Sequence, residues 1–571
     1  LGKSRRWVRR LAERYGLVQP EAVEVARHSA ALFNAEQMQE YCRTLAARHR
    51  LGRRQGADRL LGALAESERV LFDACELLTA AVSNGRRIAP AGEWLLDNFY
   101  LIEEQIRTAK RHLPKGYSRE LPRLAEGPST DMPRVYDLAL GVISHGDGRV
   151  DPEGLSSFVA AYQSVTPLEL GELWAVPIML RLALIENLRR VADHVSASAR
   201  DKSRADGWAD WMLSVAERDP KSLVLVVADM ARSDPPMASS FVAELARRLQ
   251  GQSAALALPL TWIEQRLSES GLTIESLVQS EAQKQAAGQV SISNSITSLR
   301  LFAAMDWRTF VESLSVVEHT LQEDPAQVYL QMDFVTRDCY RHVIERLARA
   351  AGIAEVLVAR KAILLAAAAH RDGLSSRPAG LADARQGRAS HVGYYLIGDG
   401  LTQLERELPL PSTLLRGCRA FARHAPFGWY LAAVTLVTAI TTVGMVELLP
   451  SPQPPPDWLV PLVLLLACGA ANLAIALVNW GVTLLVAPRV LPRLDFSAGI
   501  PPECRTLVVV PVMLTDAAAV DAFCESMEVR YLANRDDQLQ FALLSDFTDA
   551  SEATLPGDAA LLERACDGVA A

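Results

Sequence analysis

The chain has 571 residues, with 59 Lys and Arg against 67 Asp and Glu, and a formal net charge of −8. A general nucleic-acid binder carries a basic excess, so this balance argues against that class. Half of the residues are hydrophobic, which argues against a disordered chain, and the eight cysteines never form a Cys-x-x-Cys pair, which leaves zinc ribbons and thioredoxin-type sites unsupported. The first fourteen residues, LGKSRRWVRRLAER, are basic and helical and lack the apolar stretch of a secretory signal. Everything from residue 1 to about 425 therefore reads as one large cytoplasmic α-helical domain. Apolar residues recur at helical spacing, as with Leu95, Phe99, Ile102 and Ile106. Residues 175–195 and 298–321 carry broad apolar stripes, and residues 340–352 end on Gly352, a helix C-cap residue. Segments rich in Gly, Pro, Ser and Asp at 113–122, 126–133, 144–154, 233–237 and 372–380 read as breaks between helices.

Two long apolar runs follow, predicting a transmembrane hairpin over 426–490 with spans at about 427–449 and 460–486. The first run, Phe427 to Leu449, carries Glu447 as its one charge. As a helix it spans about 34 Å, enough for a hydrocarbon core of about 30 Å. The second, Trp458 to Ala487, carries no charge and exceeds the length of one span. Between them SPQPPPD (451–457) has no Lys or Arg. Arg416, Arg419 and Arg423 precede the first run, and Arg489 and Arg493 follow the second. The positive-inside rule places both outer flanks in the cytoplasm and the short loop outside. Trp429, Tyr430 and Trp458 stand at run ends, where aromatic belts form.

After residue 500 the periodicity changes. RTLVVVPVML (505–514) reads as a buried strand, TDAAAVDAFCESMEVRYLAN (515–534) as a helix opened by a Thr-Asp cap, and LQFALLSDFTDA (539–550) as a second strand with an acidic loop. The fold class is thus mainly α, closing on the βαβ start of an α/β domain over 500–571. About 67 residues after Cys504 are too few for a doubly wound sheet, and the chain starts at Leu1 rather than Met, so it reads as a fragment. In open parallel sheets ligands bind beyond the carboxyl ends of the strands. Pro511 stands where the first strand region ends. Asp546 lies at the end of the second strand, with Asp549 three residues on. Asp546 has two readings, a carboxylate accepting from a nucleotide or sugar and a solvated loop cap.

Several stretches resemble the amino-terminal half of cyclic β-1,2-glucan synthases: EWLLDNFYLIEEQI (93–106), LPKGYSRELPRL (113–124), GELWAVPIMLRLALIENLRR (171–190) and NSITSLRLFAAMDWRTFVE (294–312). VYLQMDFVTRDCYRHVIE (328–345), HVGYYLIGDG (391–400) and EVRYLANRDDQLQFALLSDFTDA (528–550) continue the resemblance in order along nearly the whole chain. It implies a multi-pass enzyme of the bacterial inner membrane. Such an enzyme uses UDP-glucose, builds β-1,2-glucan on a protein-linked intermediate and closes it into a ring. The last domain would open a GT-A glycosyltransferase in which Pro511 and Asp546 contact the nucleotide sugar. The Mg or Mn ligands and the general base of the full enzyme would lie beyond Ala571. The chain offers no metal site of its own, because Asp546 and Asp549 are not enough carboxylates to bridge a cation to a diphosphate. Alone it is expected to be inactive.

Other residues admit blander readings. Trp94, Trp174, Trp262 and Trp307 suit core packing better than sugar stacking. Glu172, Asp333, Arg337 and Asp338 suit ion-paired helix faces better than a glycosidase carboxylate pair. Tyr394 and Tyr395 could accept a first glucose, although buried tyrosines are commoner. A rival reading of the whole is a non-catalytic, membrane-anchored helical scaffold.

Overall fold

The computed structural model describes residues 32–52, 59–113, 116–375, 388–410, 426–448, 455–485, 491–552 and 555–570. Its contacts divide the chain into two units, Leu1–Glu318 and His319–Ala571.

The first unit is helical: α1 (Ala35–Arg48), α2 (Leu60–Ser83), α3 (Pro90–Asp97), α4 (Phe99–His112), α5 (Arg134–His145), α6 (Pro152–Gln163), α7 (Leu170–Arg218), α8 (Leu223–Ser233), α9 (Ser239–Leu249), α10 (Ala257–Ser268), α11 (Ile274–Ala304) and α12 (Trp307–Leu314). Local chemistry sets the starts. Asn34 and Gln37 form a reciprocal capping box on α1, and Asp151 caps α6 just before Pro152, whose fixed φ suits a first helical position. The 49 residues of α7 make a rod about 74 Å long. Its first half is apolar almost all round, with Leu173, Met179, Leu184, Ile185 and Leu188 fully buried, as a helix surrounded by others must be. Helices α2, α4, α5 and α11 pack about that half in one core. In its second half Ala205, Ala209 and Met212 join a smaller core with α8, α9 and α10.

The sequence suggested one helix over 298–321. The structure divides it: α11 stops at Ala304, and Asp306 restarts the chain by accepting the amides of Arg308 and Thr309. An N-cap aspartate competes effectively with helix continuation.

The second unit holds α13 (Phe334–Ala351), ending at Gly352 with φ 66, as the sequence suggested. Helices α14 (Glu355–Ser375) and α15 (Leu401–Glu407) follow. Next come two candidate membrane-spanning helices, α16 (Pro426–Glu447) and α17 (Pro456–Leu485). They lie against each other with Thr442, Ala470 and Ala474 buried, and the Tyr430 hydroxyl donates to Asn479 Oδ1 at 3.0 Å. Small residues at such a seam let the backbones approach. Leu436, Ile440, Leu464, Leu465 and Leu477 are exposed, so these helices do not form the core of a soluble fold. The flanking Arg416, Arg419, Arg423 and Arg489, and residues 451–454 of the loop, lie outside the described residues.

Past the hairpin, residues 493–495 run antiparallel to 331–333. Met332 bridges Leu494, the Asp333 amide donates to Arg493 O (3.0 Å), and the Asp495 amide donates to Gln331 O (2.7 Å). The chain then enters β1 (Thr506–Leu514), α18 (Ala517–Ala533), β2 (Leu539–Phe547) and α19 (Asp558–Ala570). The strands are parallel, with Thr506 opposite Leu539 and Leu514 opposite Phe547. One sheet face, with Val510, Val512, Leu514, Leu543 and Phe547, packs on α18 and α19. Leu507, Val509, Met513 and Leu544 are exposed.

Candidate functional site

A cavity of about 460 Å³ opens at the carboxyl ends of the two strands, lined by Pro511, Val512 and Met513 of β1 and Leu544, Ser545 and Asp546 of β2. Parallel register places Pro511 opposite Leu544 and Met513 opposite Asp546. The two residues singled out from the sequence thus line one cavity. Pro511 does not end the first strand, as the sequence reading had it. Pairing runs on to Leu514, because a proline is tolerated in a strand that keeps one unpaired edge.

Asp546 is exposed and stands one residue before the strand end. Its Oδ1 accepts the Phe547 amide at 2.9 Å. Around it the βαβ unit is braced by carboxylates of other duty. Asp516 caps α18 through the Ala519 amide (2.9 Å), and Asp521 holds Arg564 of α19 in a two-pronged pair at 2.7 and 2.8 Å. Asp536 accepts the amides of Ile500 and Gln538, both at 2.8 Å, and these bonds hold its carboxyl below the usual range.

Among the described residues no three His, Cys, Asp or Glu side chains converge as metal ligands. Asp546 and Asp549 alone do not fit a catalytic Mg or Mn ion, which needs more oxygen ligands than two carboxylates supply.

The other residues weighed from sequence have structural posts. Glu172 is fully buried and accepts from Arg134 at 2.5 and 2.7 Å. Burial opposes the Arg134 charge, but the hydrogen bond and charge of Glu172 raise its pKa above the ordinary arginine value. Asp333 caps α13 through the Thr336 amide, and Asp338 pairs with Arg341. Trp174 and Trp307 pack against the main core and Trp262 against the smaller one, whereas Trp94 is 38% exposed. Tyr395 is buried and meets Tyr394 edge-on.

Two polar networks were not visible in the sequence. In the first unit, Ser129 and His49 both bond Asp137, and His49 Nδ1 meets the Tyr162 hydroxyl at 2.8 Å. Burial pushes the Tyr162 phenol up to about 12. In the second unit, the buried Asp324 carboxylate accepts His391 Nδ1 (2.8 Å) and the amides of Val392, Val328 and Tyr329. Burial works to raise the Asp324 pKa, but these bonds, His391 first, bring it below the usual value. His391 Nε2 lies 3.3 Å from the Tyr340 hydroxyl. The partners are 67 and 51 residues apart, so no local motif could announce them.

A helical region, an apolar helical hairpin and a parallel βαβ unit with a carboxylate at its strand ends define the class of a membrane-associated, α-rich protein with an α/β appendage. No family model matches the chain. It is 32% identical over 502 residues to cyclic beta-(1,2)-glucan synthase NdvB of Rhizobium meliloti, a match that covers 88% of this chain and 17% of that protein. The chain is thus similar to a cyclic β-(1,2)-glucan synthase, as its motifs implied, and it spans about a sixth of the length of that protein.

Proposed function

We propose that this chain belongs to an inner-membrane glucosyltransferase that uses UDP-glucose to build cyclic β-1,2-glucan through a protein-linked intermediate. Residues 500–571 would be the opening of its GT-A domain. The observation that carries the reading is the exposed Asp546 carboxylate at the end of β2, sharing a cavity with Pro511. A carboxylate there accepts hydrogen bonds from a uracil N–H or ribose hydroxyls, and the carboxyl ends of parallel strands are where such sheets take ligands. Pro511 supplies a rigid apolar wall beside it. The segment by itself is proposed to be inactive, with metal ligands and general base supplied by other parts of the enzyme. The helical region and the flanks of the hairpin would face the cytoplasm, where the nucleotide sugar is made available.

The test is titration of UDP into the whole membrane-embedded protein. Asp546→Ala should weaken binding by about 10- to 100-fold, the worth of a hydrogen bond to a charged group. Unchanged UDP affinity would remove Asp546 from the site.

A further inference from the structure

We infer that the bridged segments 329–336 and 491–496 form a shelf that rests on the lipid headgroup region beside the hairpin. The inference builds on the reading that α16 and α17 cross a bilayer. Leu485, the last residue of α17, and Leu491 are six residues apart in the chain, so the shelf starts within about 21 Å of the end of the second span. Both of its segments expose apolar side chains. Leu330 is 52%, Val335 63% and Leu491 78% exposed, and Phe496 is also exposed. Apolar exposure that is continuous with a membrane helix is what an interfacial element buries.

The backbone of the shelf is already satisfied. The Arg493 amide donates to Thr336 Oγ1 at 3.0 Å, beyond the bonds between 331–333 and 493–495. Lowering it toward the acyl boundary therefore strands none of these groups. The shelf carries Arg493 against Asp333 and Asp495, so its fit to a bilayer rests on its apolar side chains and the adjoining spans rather than on charge. The partner is the headgroup–acyl boundary of a lipid bilayer.

The experiment reconstitutes the protein into vesicles of phosphatidylethanolamine and phosphatidylglycerol containing a lipid with a photoreactive acyl chain, and maps adducts by mass spectrometry. Adducts on 329–336 and 491–496, together with those on both spans, are expected. Labelled spans with an unlabelled shelf overturn the proposal alone, whereas unlabelled spans overturn the membrane reading beneath it. Leu330→Asp combined with Val335→Asp should abolish the 329–336 adducts and leave the spans labelled; Leu330→Ile with Val335→Ile should keep all of them. Persistent shelf adducts in the aspartate variant would also overturn the proposal.

Discussion

Arg134 and Glu172 show what a buried pair demands. Each has left water, and each is tolerable because the other is there. Arg134→Ala strands the Glu172 carboxylate in a dry interior and should destabilise the first unit by about 3–5 kcal/mol, read from chemical denaturation. Asp324 makes the corresponding argument in pH. Its folded pKa lies below the unfolded value of about 3.9, so it stabilises the fold above that pH. That contribution disappears as pH falls through the folded value. A thermal melt followed into acid should show the loss, and Asp324→Asn should flatten the acid limb while lowering stability at neutral pH. If the acid limb of the variant matches the parent, other carboxylates govern it.

Among the elements, α7 carries the largest structural load, because one helix serves two cores. Leu184 is fully buried in its first half. Leu184→Ala should cost about 2–5 kcal/mol through lost burial and a cavity. By contrast, Leu225→Ala on α8, where the side chain is 66% exposed, should stay within about 0.5 kcal/mol. Much of this architecture was legible from periodicity. The hairpin, the strand-helix-strand order after residue 505 and the Gly352 stop all follow from residue spacing and capping chemistry. The full length of α7 was not: the apolar stripe read over 175–195 gives way to a largely polar stretch, while the helix runs on to Arg218. The break at Asp306 escaped notice because the apolar stripe continues across it. At the candidate site, Asp546 was legible as a carboxylate closing the second apolar run, while the placement of Met513 opposite Asp546 depended on pairing, which single-strand patterns do not contain. The His49 and His391 networks depend on residues brought together by tertiary packing alone.

For the whole molecule, the bridge between Met332 and Leu494 constrains topology. Two residues that hydrogen-bond through their backbones lie on one side of any membrane, so the helices between them must cross an even number of times. A reporter at Pro454 should therefore behave oppositely to reporters placed before α16 and after Phe496, with the latter two cytoplasmic. A cytoplasmic signal at Pro454 would contradict both the arginine flanks and the hairpin.

The same bridge has a temporal side. Arg493 reaches Thr336 across 157 residues of chain. During synthesis at about 5–20 residues per second, the 329–336 segment waits on the order of ten seconds for its partner. In that interval both apolar helices of the hairpin are made. This short ladder therefore closes only after the whole hairpin has been synthesised, and until then the polar groups of 331–336 that it will satisfy stay open.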